Sequence, residues 1–153
     1  TRTKQKVVVG LSALLFVAGF VIAGLNFRFK WPVLSDKIVV SAVIISLLAY
    51  LLYAFVMYQN ENLSRSIKVF ENQKIVHTGL YGIIRHPMYF ATIILFLSFP
   101  LILGSLYAFF VFLIYPIIIA IRIIDEEKLL EKELPEYSQY KKKVKYRLIP
   151  FIW

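Results

Sequence analysis

The chain has 153 residues, 59% of them apolar, with a mean hydropathy of +0.71, no cysteine and a formal net charge of +9. That apolar share exceeds the roughly half found in soluble domains and excludes an ordinary water-soluble enzyme, while the missing thiols exclude disulfides, thiolate nucleophiles and cysteine metal sites. Two histidines without the HExxH spacing offer no frame for a catalytic metal, and basic residues that flank or follow apolar runs match anionic lipid head groups rather than nucleic acid.

Thr1 to Lys6 forms a basic collar before the first apolar run. Val7 to Phe27 and Ile38 to Tyr58 carry no charge and have the length, about 20 residues, that a helix needs to cross a bilayer. Both are expected to span. The first exceeds a signal-peptide core and lacks a small-residue cleavage pattern. It carries Gly10, Gly19 and Gly24 with Ala13, Ala18 and Ala23, small residues that let helices approach closely in lipid. Trp31-Pro32 in the following loop, and Tyr50, Tyr53 and Tyr58 late in the second run, suit the membrane interface.

From Gln59 to Ile84 the hydropathy falls. A mixed loop of this length is where function concentrates, with Arg65 read as a head-group or loop-pinning contact and Ile67 and Val69 hinting at a short extended piece. The loop ends in Gly79-Leu80-Tyr81-Gly82 and then Arg85-His86-Pro87-Met88-Tyr89. Proline favours the first turn of a helix and pushes the residue before it out of helical geometry, so His86 is predicted at the N-cap of the third helix. The free amides there suit an anion, with Arg85 and His86 as added donors. A plain interface anchor, with Arg85 snorkelling and His86 capping its own helix, stands beside that reading.

Met88 to Ile121 is too long for one crossing, and Pro100 with Gly104-Ser105 is expected to fold it into a tight helical hairpin. Pro116 should kink the fourth helix by removing the bond to the Phe112 carbonyl. That helix leaves the membrane through Arg122 and Glu126, which are four residues apart and share a face; they are either an exposed ion pair of small value or a partly desolvated functional pair. After Leu134-Pro135, the spacing of Tyr137, Tyr140, Val144 and Leu148 opposite Lys141, Lys142, Lys143 and Lys145 predicts an amphipathic helix lying in the interface plane.

The expected architecture is therefore all-α: one membrane-embedded domain over residues 1–153, with four spans near 7–27, 38–58, 88–103 and 105–123, a loop over 59–87 and an interfacial tail over 124–153. Lys and Arg divide fifteen against three between the two faces, which puts both termini and the 59–87 loop in the cytoplasm.

The pattern G-x-Y-x-x-x-R-H-P-x-Y over Gly79 to Tyr89, followed by R-x-x-x-E-E over Arg122 to Glu127, paired tyrosines, a basic run and Leu-Ile-Pro, resembles the isoprenylcysteine carboxyl methyltransferases and the related phospholipid methyltransferases. The likeness covers about the last ninety residues. It implies an integral-membrane enzyme using S-adenosylmethionine without a Rossmann-type domain, and a lipid or prenylated acceptor reached from the bilayer. It also implies a cofactor site of Gln73, Lys74, Ile75, Val76, Tyr81, His86, Pro87, Met88, Tyr89 and Glu126, with Arg122 near the acceptor and Arg122 and Glu126 as the catalytic pair. Two departures are visible: Ala91 stands where the family often has glycine, and Leu134-Pro135 replaces the usual Phe-Gly.

A carboxylate acceptor would need no base. An amine-headed phospholipid would need one, for which Glu126 or Glu127 is the candidate. A nicotinamide-dependent sterol-type reductase and a non-catalytic membrane module are the alternatives from other classes, and the sequence leaves the oligomeric state open.

Overall fold

The computed structural model describes residues 2–60 and 75–153. Among these residues there are six α-helices, α1 (Arg2–Arg28), α2 (Asp36–Gln59), α3 (Pro87–Ile102), α4 (Leu106–Phe112), α5 (Ile114–Glu133) and α6 (Tyr137–Lys143), with a 3-10 turn at Gly79–Gly82 between α2 and α3. Among the described residues the only β-pairing is an isolated parallel bridge between Ile84 and Tyr146. The expected all-helical class holds.

Among the described residues three apolar stretches are long enough to cross a membrane: Lys6–Arg28, Asp36–Gln59 and Leu106–Glu133, the last being α4 and α5 together. Their outward faces are apolar and exposed, as in Leu14, Val17, Leu47, Leu48, Leu51 and Ile117, which in a soluble protein would be costly and in lipid is not. The fourth apolar helix, α3, has 16 residues and, at about 1.5 Å of rise per residue, falls short of the roughly 30 Å hydrocarbon core.

The third apolar tract folds into the expected hairpin, and of its two punctuating signals, Pro100 and Gly104-Ser105, the second makes the break. Pro100 is buried inside α3, which runs on to Ile102. The reversal is made four residues later by Gly104, whose φ of +71° is open to glycine. There the Leu103 amide donates to Phe99 O and the Gly104 amide to Leu101 O. Pro116 acts as expected: without its amide the Phe112 carbonyl has no helical partner, and the axis breaks at Leu113, between α4 and α5.

The core is aromatic and lies where α1 meets α3, α4 and α5. Phe16 packs on Phe96 at 4.7 Å and on Phe112 at 5.4 Å between ring centres, and Phe96 on Tyr115 at 5.0 Å. Gly19 lies directly beneath the Phe112 ring, leaving no room for a Cβ, whereas Gly10 and Gly24 face open space. Close approach therefore explains one of the three helix-1 glycines. At the hairpin end, buried Asn26 accepts from Ser105 Oγ at 3.0 Å, and Ser105 caps α4 through the Ala108 amide.

At the other end the tail departs from the expected single helix. α6 is only seven residues long, and Val144 to Arg147 run extended beside Ile84 to His86. The four apolar residues that suggested a helix, Tyr137, Tyr140, Val144 and Leu148, are all buried nonetheless. Tyr137, Tyr140 and Val144 form a small cluster of their own, and Leu148 joins the main core.

Candidate active site

Pro87 opens α3 and His86 is its N-cap, with φ −127° and ψ 58°. The His86 side chain makes no capping bond. Its Nε2 lies 3.1 Å from Glu127 Oε1 instead. Arg85 joins it: Nε donates to the same oxygen at 2.7 Å, while one terminal nitrogen donates to the carbonyls of Val144 at 2.7 Å and Lys145 at 2.8 Å. Arg147 Nε donates to Glu127 Oε2 at 2.9 Å. Arg85, His86 and Glu127 are all buried.

One carboxylate on α5 thus gathers two guanidinium groups and an imidazole from two distant parts of the chain. Burying such a carboxylate is unfavourable unless charge and hydrogen bonds compensate, and here both of its oxygens are occupied. The side chains of Arg85 and His86 both bond to Glu127.

Backbone bonds reinforce the clamp. The amides of Arg85 and His86 donate to the carbonyls of Tyr146 and Arg147, each at 2.9 Å, and Tyr140 OH donates to the Tyr81 carbonyl at 2.7 Å. The tail is thus tied to the 79–86 segment at Tyr81, Arg85 and His86.

Glu126, the neighbouring residue on α5, belongs to a second and more open cluster. Tyr89 OH donates to Glu126 Oε2 at 2.5 Å and accepts from Arg122 Nε at 2.9 Å. The Arg122 guanidinium also lies 5.7 Å from the Tyr89 ring centre, within reach of a cation–π contact. Arg122 and Glu126 therefore meet through the tyrosine, which sequence spacing alone did not show. The His86 and Tyr89 rings are 5.8 Å apart, so the two clusters adjoin.

Tyr81 sits in the 3-10 turn with its hydroxyl buried and no well-formed hydrogen bond. Burial pushes its phenol up to about 12, with the nearby Glu126 charge adding to the rise and the Asn60 side chain opposing it. Burial likewise raises Tyr137 and Tyr140 in α6. All three stay neutral at ordinary pH. The turn itself depends on Gly79, which has φ +60° and abuts the Gln59 side chain so closely that a Cβ would collide with it. Gln59 Oε1 in turn accepts from the Leu80 amide at 3.3 Å, tying the end of α2 to the turn.

Of the remaining candidates, Ile75 packs on Tyr137, Tyr140 and Val144, Val76 is half-buried, Pro87 is fully buried and Met88 lies against the main core. Gln73, Lys74, Arg65, Ile67 and Val69 fall outside the described residues. Arg147 and the clamp role of Glu127 were not anticipated. One signal was available: Arg147 is the lone arginine after four lysines in the tail, and a forked guanidinium serves a buried carboxylate better than an ammonium does.

Residues 37–136 match the phospholipid methyltransferase family. No curated protein matches the chain. Among solved structures the fold is similar to that of the eukaryotic intramembrane Ras methyltransferase, isoprenylcysteine carboxyl methyltransferase, with a TM-score of 0.73 at 19% identity. The likeness covers 94% of this chain and 53% of that one, so this chain spans about half its length. At that identity the likeness concerns the fold.

Proposed function

The chain belongs to the phospholipid methyltransferase family, and from that membership we propose that it methylates a lipid or prenylated acceptor, with S-adenosylmethionine as donor and a carboxylate as the acceptor group. The observation carrying this reading is the convergence of α3 and α5, which brings Tyr89, Arg122 and Glu126 into one hydrogen-bonded cluster beside the buried Tyr81 hydroxyl.

The residues present fit such a cofactor. Glu126 offers a carboxylate to an ammonium, Tyr81 a buried hydroxyl beside Asn60, and the Tyr81 and Tyr89 rings offer faces that attract a cation. Ile75, Val76, Pro87 and Met88 would supply apolar lining, and Gln73 and Lys74 would extend it. His86, committed to Glu127, would serve by orienting Tyr89. The bound cofactor supplies an electrophilic methyl group on a sulfonium.

What the chain contributes is position and dryness. Arg122, steadied by its bond to Tyr89, would hold the acceptor carboxylate, and a carboxylate needs no proton removed. Glu126 would fix the donor's ammonium on the other side of Tyr89. The Glu127 clamp would keep α3, α5 and the tail in register without touching a reactant. The family's description, which names phospholipids, favours a second reading in which an amine head group is the acceptor and Glu126 takes its proton.

For topology the proposal keeps one membrane domain of four crossings, with α3 as a short fourth and the site at the cytoplasmic face. The end bearing Arg85, Arg122, α6 and the tail holds most of the cations, in accord with the positive-inside rule.

Isothermal titration of the purified protein with S-adenosylmethionine tests the cofactor. Binding that Glu126→Gln weakens at least about tenfold, equivalent to roughly 1.4 kcal/mol, supports the reading; no heat at millimolar cofactor removes it. A labelled-methyl assay on fractionated lipids then separates acceptors, because a base-labile product is an ester and a base-stable one an N-methyl amine.

A further inference from the structure

The last residues of the tail form a closed turn. The amides of Arg147, Leu148 and Ile149 all donate to the Trp153 carbonyl oxygen, at 2.9, 2.9 and 3.1 Å, and the Trp153 amide donates back to Ile149 O at 3.1 Å. Arg147 stacks its guanidinium over the Trp153 ring at 5.0 Å, and Leu148 is buried. The tip of this turn is Pro150, Phe151 and Ile152.

The tip carries two unusual features. Phe151 has φ +66°, a left-handed conformation that a bulky side chain adopts only when its surroundings impose it. Phe151 is also 86% exposed and Ile152 77%. The fold thus strains a backbone to hold two large apolar side chains outward. Water would gain nothing from that arrangement. Comparable exposure occurs at Phe27 and Tyr58, which sit at the ends of helices long enough to cross a membrane.

Position and charge identify what covers the tip. The Arg147 carbonyl accepts from the His86 amide, one residue before the apolar α3 begins, so the turn is rooted at the level where the chain meets the apolar phase. Lys142, Lys143 and Lys145, all exposed, lead into it along the chain. Exposed apolar groups beside a run of lysines are the pattern of a segment held at an anionic bilayer surface.

We infer that the Pro150–Ile152 turn is a wedge that inserts Phe151 and Ile152 into the boundary between head groups and acyl chains of the surrounding anionic leaflet, with Lys142, Lys143 and Lys145 on the head groups. The occupant of this surface is the bilayer in which the chain resides.

The test uses a full-length protein carrying Trp31→Phe, Trp153→Phe and Phe151→Trp, reconstituted into nanodiscs of phosphatidylglycerol and phosphatidylcholine. The expected result is that shallow-brominated lipid lowers the tryptophan emission by about half, deep-brominated lipid lowers it less, and aqueous iodide leaves it nearly unchanged. Replacing the three lysines by glutamine should weaken the bromine quenching in the mixed bilayer and leave it unaltered in pure phosphatidylcholine. Iodide quenching without bromine quenching overturns the inference, as does shielding from iodide that disappears when the protein is diluted in the bilayer, which would make a second copy the cover. Unaltered quenching in the lysine variant removes the anionic component. Should the Phe151→Trp chain fail to fold, Ile152→Trp in the same background reads the same depth. No turnover is involved, so the outcome is separate from that of the methyl-transfer reading.

Discussion

Glu127 and Glu126 are adjacent in sequence yet live in opposite circumstances, one enclosed by Arg85, His86 and Arg147 and the other half-exposed beside Tyr89. Removing the enclosed charge strands two guanidinium groups, so Glu127→Gln should destabilise the fold by ~3 kcal/mol or more, seen as a clear drop in thermal unfolding temperature in detergent. Glu126→Gln should leave that temperature nearly unchanged and act on ligand binding instead. Tyr81 provides a pH signature. Its folded-state value, about 12, lies above the ordinary value of about 10 for a free phenol, so the stability it contributes is complete below pH ~10 and fades as the pH rises toward 12. Tyr81→Phe should accordingly remove part of the 295 nm absorbance change that occurs above pH ~11, and none of the change below it.

At the scale of elements, the long helices were legible because a span is written in consecutive residues: charge-free runs of sufficient length left little choice. Pro87 at the α3 start and Pro116 at the α4–α5 break were equally local, each acting through its missing amide. The hairpin was legible in Pro100 with Gly104-Ser105, but which of them turns the chain was not: Pro100 stays buried inside α3 and Gly104 makes the turn. The tail misled for a related reason. Spacing of apolar residues reports which side is buried, and a short helix followed by an extended segment can bury the same four side chains as one helix. Two glycines give contrasting tests. Gly19→Ala, pressed against Phe112, should cost ~1–3 kcal/mol by overpacking, whereas Gly10→Ala, facing open space, should be neutral or slightly stabilising in thermal unfolding.

At the scale of the whole molecule, membership of a membrane methyltransferase family was readable from two motifs, but their meeting was not, since it depends on pairs 33 to 60 residues apart such as Arg122–Tyr89 and Arg85–Lys145. The absence of cysteine makes topology directly measurable: single cysteines replacing Lys30 and the exposed Leu103 should label from one side of sealed vesicles, and those replacing Thr78 and Ser138 from the other. The span of the clamp also has a bearing on biosynthesis. Val144, whose carbonyl receives the Arg85 guanidinium, follows that arginine by 59 positions. A ribosome therefore releases the cation well before its acceptors, and in the interval the start of α3 must rest on lipid phosphates or translocon water. Nascent chains halted between the two points should be preferred targets of membrane quality control, and the final stitch of the tail would mark the moment at which that vulnerability ends.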